Sequence, residues 1–393
     1  MSFNWEIYSL LNPDLKKAGL TTKQQLEKHY RINGFKENRN TNLYQLYPDF
    51  NVTNYKNNYI DLCHMNNQQL EIHWLRNGRY ENRQYNKNNC VTPNKINIVY
   101  AFIGILPTYT IDTIHQMRLF YDGPIYFIYN DYSNPVVSTL KNQYSVIMVN
   151  YDDVKHSEFN KTINDKIHKF AILPNLKGRE KLFIYSFERF FLLYNLMCKK
   201  NINDVLFVEL DNLIYDDPNN WYEQFIKKDM AYMFDNINRA SSGIAYIKNT
   251  NILYSFLNMC LKYIIESNDF LNEMTVLYTF WDNNKERIQL LPIHCTANNY
   301  PSETHSTFSN YNSIFDAAGI GIYLGGLDPY HTDNKIVIGS KSEWSLIDYT
   351  KYKYKWLPDN KERKIPYMLY DSKIIKINNL HLHSKNLKPY MSK

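Results

Sequence analysis

The sequence predicts an α/β protein, with a mixed, largely parallel sheet flanked by helices over residues 95–393. A small, mainly helical repeat module is expected before it, over residues 1–90. Three observations carry this expectation. Apolar, β-branched runs alternate with helix-spaced segments from Ile96 onward, the mark of successive βαβ units. A stretch of 14 residues recurs within the first ninety. Mid-chain, the apolar run Val205-Leu206-Phe207-Val208 ends in Glu209-Leu210-Asp211, at the kind of sheet edge where α/β proteins hold ligands.

The repeat comes first. Leu26-Glu27-Lys28-His29-Tyr30, continuing to Arg39, recurs as Leu70-Glu71-Ile72-His73-Trp74, continuing to Arg83, 44 positions later. Upstream, Tyr8, Asp14 and Leu15 match Tyr55, Asp61 and Leu62 at a spacing of 47, so the second copy is 3 residues shorter in its middle. Each copy is expected to hold a helix around Tyr8–Ala18, or its counterpart, and a second helix ending at Asn-Gly. Gly34 and Gly78 then fall where a left-handed C-cap belongs. His29 and His73 occur once per copy, which suits a histidine satisfied by one hydrogen bond better than a metal ligand. The pair reads as an accessory module that docks a partner or a glycan and carries no catalytic residue.

The polar segment Tyr85–Asn94 is the expected linker. Beyond it, Ile96–Ile103 forms a first strand and Tyr109–Phe120 a helix, which Asp122-Gly123-Pro124 breaks. Ile125–Tyr129 is a second strand ending at Asn130-Asp131, which makes Asp131 a ligand-site candidate at that edge. Ser145–Val149 follows as a third strand, Glu180–Lys199 as a long helix and Val205–Leu210 as a fourth strand.

Composition narrows the function classes. A hydrophobic share of 44% with 21% charged residues is that of an ordinary globular protein. The formal charge of +6 comes without blocks of Lys or Arg, so nucleic acid is not an expected partner. No apolar run is long enough for a membrane span, since Glu188 and Arg189 interrupt the most apolar helix candidate. No signal-peptide pattern opens the chain, and five scattered cysteines without CxxC spacing read as reduced thiols. A cytoplasmic setting is expected, or a viral factory if the AT-rich residue bias reflects a large DNA virus.

Glu209 and Asp211 are the sharpest chemical feature. On an extended chain they project to one face, roughly 7 Å apart along the strand. Two hard anionic ligands there suit Mn²⁺ or Mg²⁺ gripping a diphosphate. In the preceding helix, Arg189 offers forked donors to phosphate or base. In Ala240-Ser241-Ser242-Gly243-Ile244, the missing Cβ of Gly243 permits close backbone approach. Glu273, after Asn272, is a candidate general base, or else part of a helix cap. The segment Ile314–Tyr330 holds four of the chain's 12 glycines and reads as a substrate-contacting loop, with Asp316 and Asp328 as acceptor-side candidates. The spacing of those glycines fits neither GxGxxG nor a Walker P-loop. Finally, Ile374–Leu380 runs into His381-Leu382-His383-Ser384-Lys385, with Lys388-Pro389-Tyr390 behind.

Taken in chain order, these motifs resemble the GT-A glycosyltransferases, whose Asp-x-Asp motif is matched here by Glu209-Leu210-Asp211. The resemblance covers roughly residues 95–393. It implies a nucleoside-diphosphate donor, UDP most commonly, a glycan or glycoprotein acceptor, and Mn²⁺ or Mg²⁺ bound by Asp211, Glu209 and a tail histidine. The tail is similar to the HxxGxxKPW pattern of one retaining branch, but lacks its glycine, so His383 and His381 both stay open as the ligand. Lys385 or Lys388 would then face the leaving diphosphate. Ser242, Gly243, Arg189 and Asp131 would line the donor site. Glu273 as base favours inversion, whereas the tail pattern leans to retention. The competing class is a non-catalytic carbohydrate-binding or assembly protein that keeps this fold.

Overall fold

The computed structural model describes residues 3–59, 62, 65–81, 83, 85, 96–170, 181–267, 272–296, 300–328 and 335–393. It divides into two compact units, Met1–Asn94 and Lys95–Lys393. Apart from Tyr85, the segment read as a linker lies outside the described residues.

In the first unit, Trp5–Leu11, Pro13–Lys17 and Lys23–His29 are helices in one copy of the repeat, and Val52–Asn58 and Asn67–His73 in the other. Pro13 divides the single helix expected over Tyr8–Ala18, because its ring cannot continue the preceding turn. Thr22 with Gln25 and Asn66 with Gln69 form capping boxes at corresponding helix starts. The two copies also make the same buried contact. Tyr8 Oη lies 3.1 Å from His29 Nδ1, and Tyr55 Oη lies 2.9 Å from His73 Nδ1.

Gly34 and Gly78 correct the expectation of left-handed caps. Neither has a positive φ, and both close a π-helical turn, Tyr30–Gly34 and Trp74–Gly78. Their glycine identity has a packing cause. A Cβ at Gly34 would stand 2.2 Å from Tyr8 Oη, and one at Gly78 would stand 2.0 Å from Tyr55 Oη. The tyrosine hydroxyl that reaches the histidine occupies the place of the missing methyl.

The second unit contains strands β1 (Asn97–Phe102), β2 (Ile125–Tyr129), β3 (Ile147–Asn150), β4 (Val205–Val208), β5 (Asn212–Ile214), β6 (Met230–Asn236) and β7 (Arg239–Ile247). They continue with β8 (Ile288–Leu290), β9 (Ser313–Ile314), β10 (Lys353–Pro358), β11 (Lys364–Tyr370), β12 (Lys373–Ile377) and β13 (Asn379–His381). Seven of them build one sheet in the order β3-β2-β1-β4-β7-β6-β8. β1 to β4 pair in parallel, and β7 runs antiparallel to both β4 and β6. This is a mixed sheet flanked by helices, the architecture that the GT-A resemblance implies.

Helix Leu182–Lys200 buries Phe187, Phe190 and Phe191, with the Phe190 ring 5.5 Å from that of Phe207 on β4. That packing fixes which side of the helix meets the end of β4. On the other side, Thr113 of helix Tyr109–Arg118 donates to the Leu210 carbonyl, and Gln116 Nε2 donates to that of Ile214 at 2.8 Å. β5 pairs antiparallel with β13, setting Asn212 against His381. The chain's tail is thereby laid beside the end of β4.

Replacing Gly78 by Ala in the full chain should destabilise the first unit by ~1–3 kcal/mol, because the new methyl expels Tyr55 Oη. Gly34→Ala should act alike through Tyr8. Urea denaturation or limited proteolysis of the repeat module measures this, and unchanged stability in both variants would contradict the packing cause.

Candidate active site

Glu209, Leu210 and Asp211 do not extend β4. They form a turn between β4 and β5, closed by Asn212 N donating to the Glu209 carbonyl at 3.1 Å. The turn changes the expected geometry. Instead of standing apart along a strand, the two carboxylates converge, each with one oxygen 3.2 Å from His381 Nε2. The other Asp211 oxygen is paired with Lys385, and the other Glu209 oxygen with Arg189. His383 lies alongside, its ring centroid 4.7 Å from that of His381. Ligand atoms of Asp211, His381 and His383 all fall within 4.8 Å of one another.

These residues fit a divalent cation. Donors bonded at ~2.1 Å and at right angles stand about 3 Å apart, close to the spacing that His381 keeps from both acids. His381 Nδ1 is buried without a hydrogen-bond partner, so its ring is held by packing and by whatever faces Nε2. The packing surface is Gly243, where a Cβ would stand 2.8 Å from Nδ1 and 2.9 Å from the Asn212 side chain. Close approach to Gly243 was expected of a donor sugar; the imidazole makes it instead.

Electrostatics follow from burial and neighbours. Burial would raise the Glu209 carboxyl, but Arg189 and His381 override it and bring it down to about 2. Burial acts likewise on Asp211, which Lys385 and His381 hold well below the usual carboxylate range. Burial would discharge His381, yet Asp211 and Glu209 push it up to about 10, so it carries a proton at neutral pH. His383 is driven down to about 3 by burial and by the positive charges of His381 and Lys385. Neutral His383 beside charged His381 gives the pair one positive charge.

Arg189 departs from expectation, and Glu273 follows the second of its two readings, the start of a capped helix. The Arg189 guanidinium is engaged by Glu209, by Ser242 Oγ at 2.8 Å and by Glu273 Oε1 at 3.3 Å. It is therefore a positioning residue for Glu209, with its fork spent on protein groups in place of phosphate. Glu273 opens helix Glu273–Asn283 behind the cap of Asn272, and only 8% of its side chain is exposed. Burial raises its carboxyl despite the Arg189 charge. The geometry makes it a partner of Arg189, in place of a base on an acceptor hydroxyl.

Asp316 is the second correction. It is fully buried, and its carboxylate accepts from the backbone N–H groups of Ile320 (2.8 Å), Gly321 (2.8 Å) and His381 (3.0 Å). Both oxygens serve the scaffold and face no acceptor. The glycine-rich segment expected as a loop is a helix, Gly319–Gly325. A Cβ at Gly321 would stand 2.0 Å from the His381 carbonyl, which explains the glycine without any substrate. Asn379 and Asn212 complete this support. Asn379 Nδ2 donates to Asn212 Oδ1 at 2.8 Å, and its Oδ1 accepts from Asp316 N at 2.9 Å. Sequence reasoning missed both asparagines. The available signal was short polar residues inside an apolar run, since buried amides need designated partners.

The remaining candidates lie at the same edge. Asp131 Oδ2 accepts from Leu106 N at 3.0 Å and Asn134 Nδ2 at 2.7 Å, holding the loop after β1. Lys388 and Lys385 line a cleft of about 410 Å³ with Thr108, Tyr109 and Asp112. Set on the ending Lys388-Pro389-Tyr390, the HxxGxxKPW pattern puts its histidine at Leu382, a buried residue that donates its backbone N–H to the Asp211 carbonyl at 2.8 Å. The same alignment puts its glycine at Lys385, whose φ of 62° lies in the left-handed region that favours glycine.

No protein-family model matches the chain, and no curated protein does. Among solved structures, mouse xyloside xylosyltransferase 1 in its apo form is similar over 51% of this chain and 85% of its own, at 12% identity and a TM-score of 0.37. PaToxG glycosyltransferase is similar over 48% of this chain and 69% of its own, at 13% identity and a TM-score of 0.32. A cytidylyltransferase from Leptospira borgpetersenii is similar over 50% and 76%, at 9% identity and a TM-score of 0.31. No helix among the described residues is long and apolar enough to cross a membrane.

The charged cluster predicts how the metal-free protein responds to pH. Raising His381 from 6.5 to about 10 contributes stability that is full below 6.5 and lost as pH climbs toward 10. Lowering Glu209 from 4.5 to about 2 contributes stability above 4.5 that is lost as pH falls toward 2. Lowering His383 from 6.5 to about 3 adds a loss that begins as pH falls below 6.5, so melting temperature in EDTA should be highest near pH 6.5 and decline on both sides. His381→Phe should flatten the alkaline limb, and an alkaline limb identical to wild type would contradict the protonated histidine.

Proposed function

We propose that residues 95–393 form a metal-dependent glycosyltransferase, moving a sugar from a nucleoside-diphosphate donor to a hydroxyl of a glycan or glycoprotein. The convergence of Asp211, Glu209 and His381 beside a lysine-walled cleft is the observation that carries it. A divalent cation held there would neutralise charge developing on the departing diphosphate. Asp211 and Glu209 would supply hard oxygen donors, and His381 with His383 the nitrogen, a set that suits Mn²⁺ better than Mg²⁺. UDP is the donor nucleotide we favour, on the motif resemblance alone.

The chain's own groups have separable tasks in this reading. Lys388 faces the cleft and would pair with phosphate oxygens, keeping the diphosphate in place as its charge grows. Arg189, clamped by Glu273 and Ser242, holds Glu209 to the site. Asp316 and Asn379 keep the His381 backbone in register. Asp131 keeps the loop after β1 at the rim of the donor site. The N-terminal unit shows no comparable cluster of metal-ligating groups among its described residues, and we assign it the docking role.

Release of UDP from a panel of UDP-sugars, with and without Mn²⁺, tests the proposal. Asp211→Asn should lower Mn²⁺-stimulated release by at least ~10²-fold, the scale for removing one group that stabilises developing charge, while unfolding stays cooperative. Release unaffected by Asp211→Asn would refute the proposal. Binding of UDP with Mn²⁺ but no turnover across the panel would favour the non-catalytic carbohydrate-binding protein.

A further inference from the structure

Lys385 stands where the related tail pattern has glycine, and it carries an ammonium into the centre of the cluster. We infer that Lys385 is a built-in counter-ion for Asp211, which a divalent cation must displace and a nucleoside diphosphate then receives. The inference rests on the metal-dependent reading above and concerns how that site fills.

Four observations point the same way. Lys385 Nζ is paired with one oxygen of Asp211, while the other oxygen faces His381. Asp211 is buried, so its charge needs a compensating neighbour whenever no cation is present. The Lys385 backbone is held at φ 62°, a conformation costly for a residue with a Cβ, and its N–H donates to the Leu382 carbonyl at 3.0 Å. Lys385 also lines the cleft that Lys388 shares, so its ammonium has a second place to go. A lysine kept in a glycine conformation, on an acid that a metal needs, is a tethered competitor.

Two consequences follow. The divalent cation alone should bind weakly, since it must break the Lys385–Asp211 pair without compensation for the freed ammonium. A diphosphate in the cleft supplies that compensation, so nucleotide and metal should strengthen each other's binding by the same factor. The tail thus couples filling of the metal site to filling of the donor site.

Titration calorimetry with Mn²⁺ alone, UDP alone and Mn²⁺ in the presence of UDP tests this on wild type, Lys385→Gly and Lys385→Met. Glycine keeps the backbone conformation and relieves its cost, so the first variant is expected to fold. Methionine keeps the side chain's length without its charge. Both should bind Mn²⁺ alone at least ~10-fold more tightly than wild type, about 1.4 kcal/mol, and lose most of the mutual enhancement with UDP. Variants that bind Mn²⁺ no more tightly than a wild type that does bind it would overturn the inference alone. Wild type that binds UDP tightly without metal, and ignores Mn²⁺, would also overturn it, making Lys385 a replacement for the cation. Wild type and variants that all bind neither Mn²⁺ nor UDP would sink the metal-dependent reading together with the inference.

Discussion

The pairing of Asn212 with His381 across β5 and β13 is the contact on which the site depends. β5 follows the acidic turn directly, so this single register decides which tail residue meets Asp211 and Glu209. A slip of one residue would turn His381 away and present Leu382, because successive side chains alternate. Register in so short a ladder cannot come from backbone pairing alone. It is pinned by Asp316, which accepts from the His381 amide, and by Asn379, which joins Asp316 to Asn212. Each is a buried polar group whose partner would be stranded by a slip. A stranded donor or acceptor costs about 1–3 kcal/mol, more than a net hydrogen bond contributes when made. Positional precision is therefore enforced mainly by the cost of the alternatives.

Charge is the second constraint, and it explains residues that would otherwise read as substrate ligands. Two like charges about 4 Å apart repel by about 4 kcal/mol at an effective dielectric near 20, so carboxylates that share one imidazole nitrogen need compensating charge. In the metal-free protein the compensation is distributed. Arg189 takes Glu209, Lys385 takes Asp211, and His381 sits between them with a proton. Glu273 then balances Arg189. Every cation near the acids is thus part of one neutralising set. Arg189 holds the Glu209 oxygen that does not face His381, so its pairing and that of Glu273 do not involve the His381 contact.

Much of this was legible in the sequence, for identifiable reasons. The β1–β4 run and the long helix before β4 follow from periodicity, which local sequence dictates. Glu209, Asp211 and the tail histidines stand out only in combination, since each motif alone is common and their order along the chain gives them weight. What could not be read was orientation. Glu209-Leu210-Asp211 as text is equally a strand end or a turn, and only the turn makes the carboxylates converge. Gly34, Gly78, Gly243 and Gly321 were read as conformational or substrate-facing glycines, but none has a positive φ. Each is small because a distant side chain or carbonyl occupies the space of its Cβ. Such contacts join segments far apart in sequence, and a single sequence holds no mark of them. Arg189, Asp316 and the base reading of Glu273 missed their partners for the same cause: their type announced chemistry, while the fold supplied the partners.

The long reach of the tail has a consequence for how the site comes into being. Asn379 meets Asn212 across 167 residues, and closing a loop of that length is an entropic cost incurred before the contact returns anything. β13 has only three residues and pairs with an equally short β5, so the ladder cannot nucleate on its own. It packs instead on helix Gly319–Gly325 as well as on β5. The acidic turn belongs to the central sheet, whereas two of its counter-charges, His381 and Lys385, are carried by the tail. The elements that neutralise the acids are the elements whose docking depends on them, which ties the C-terminal segment to the site by charge as well as by packing.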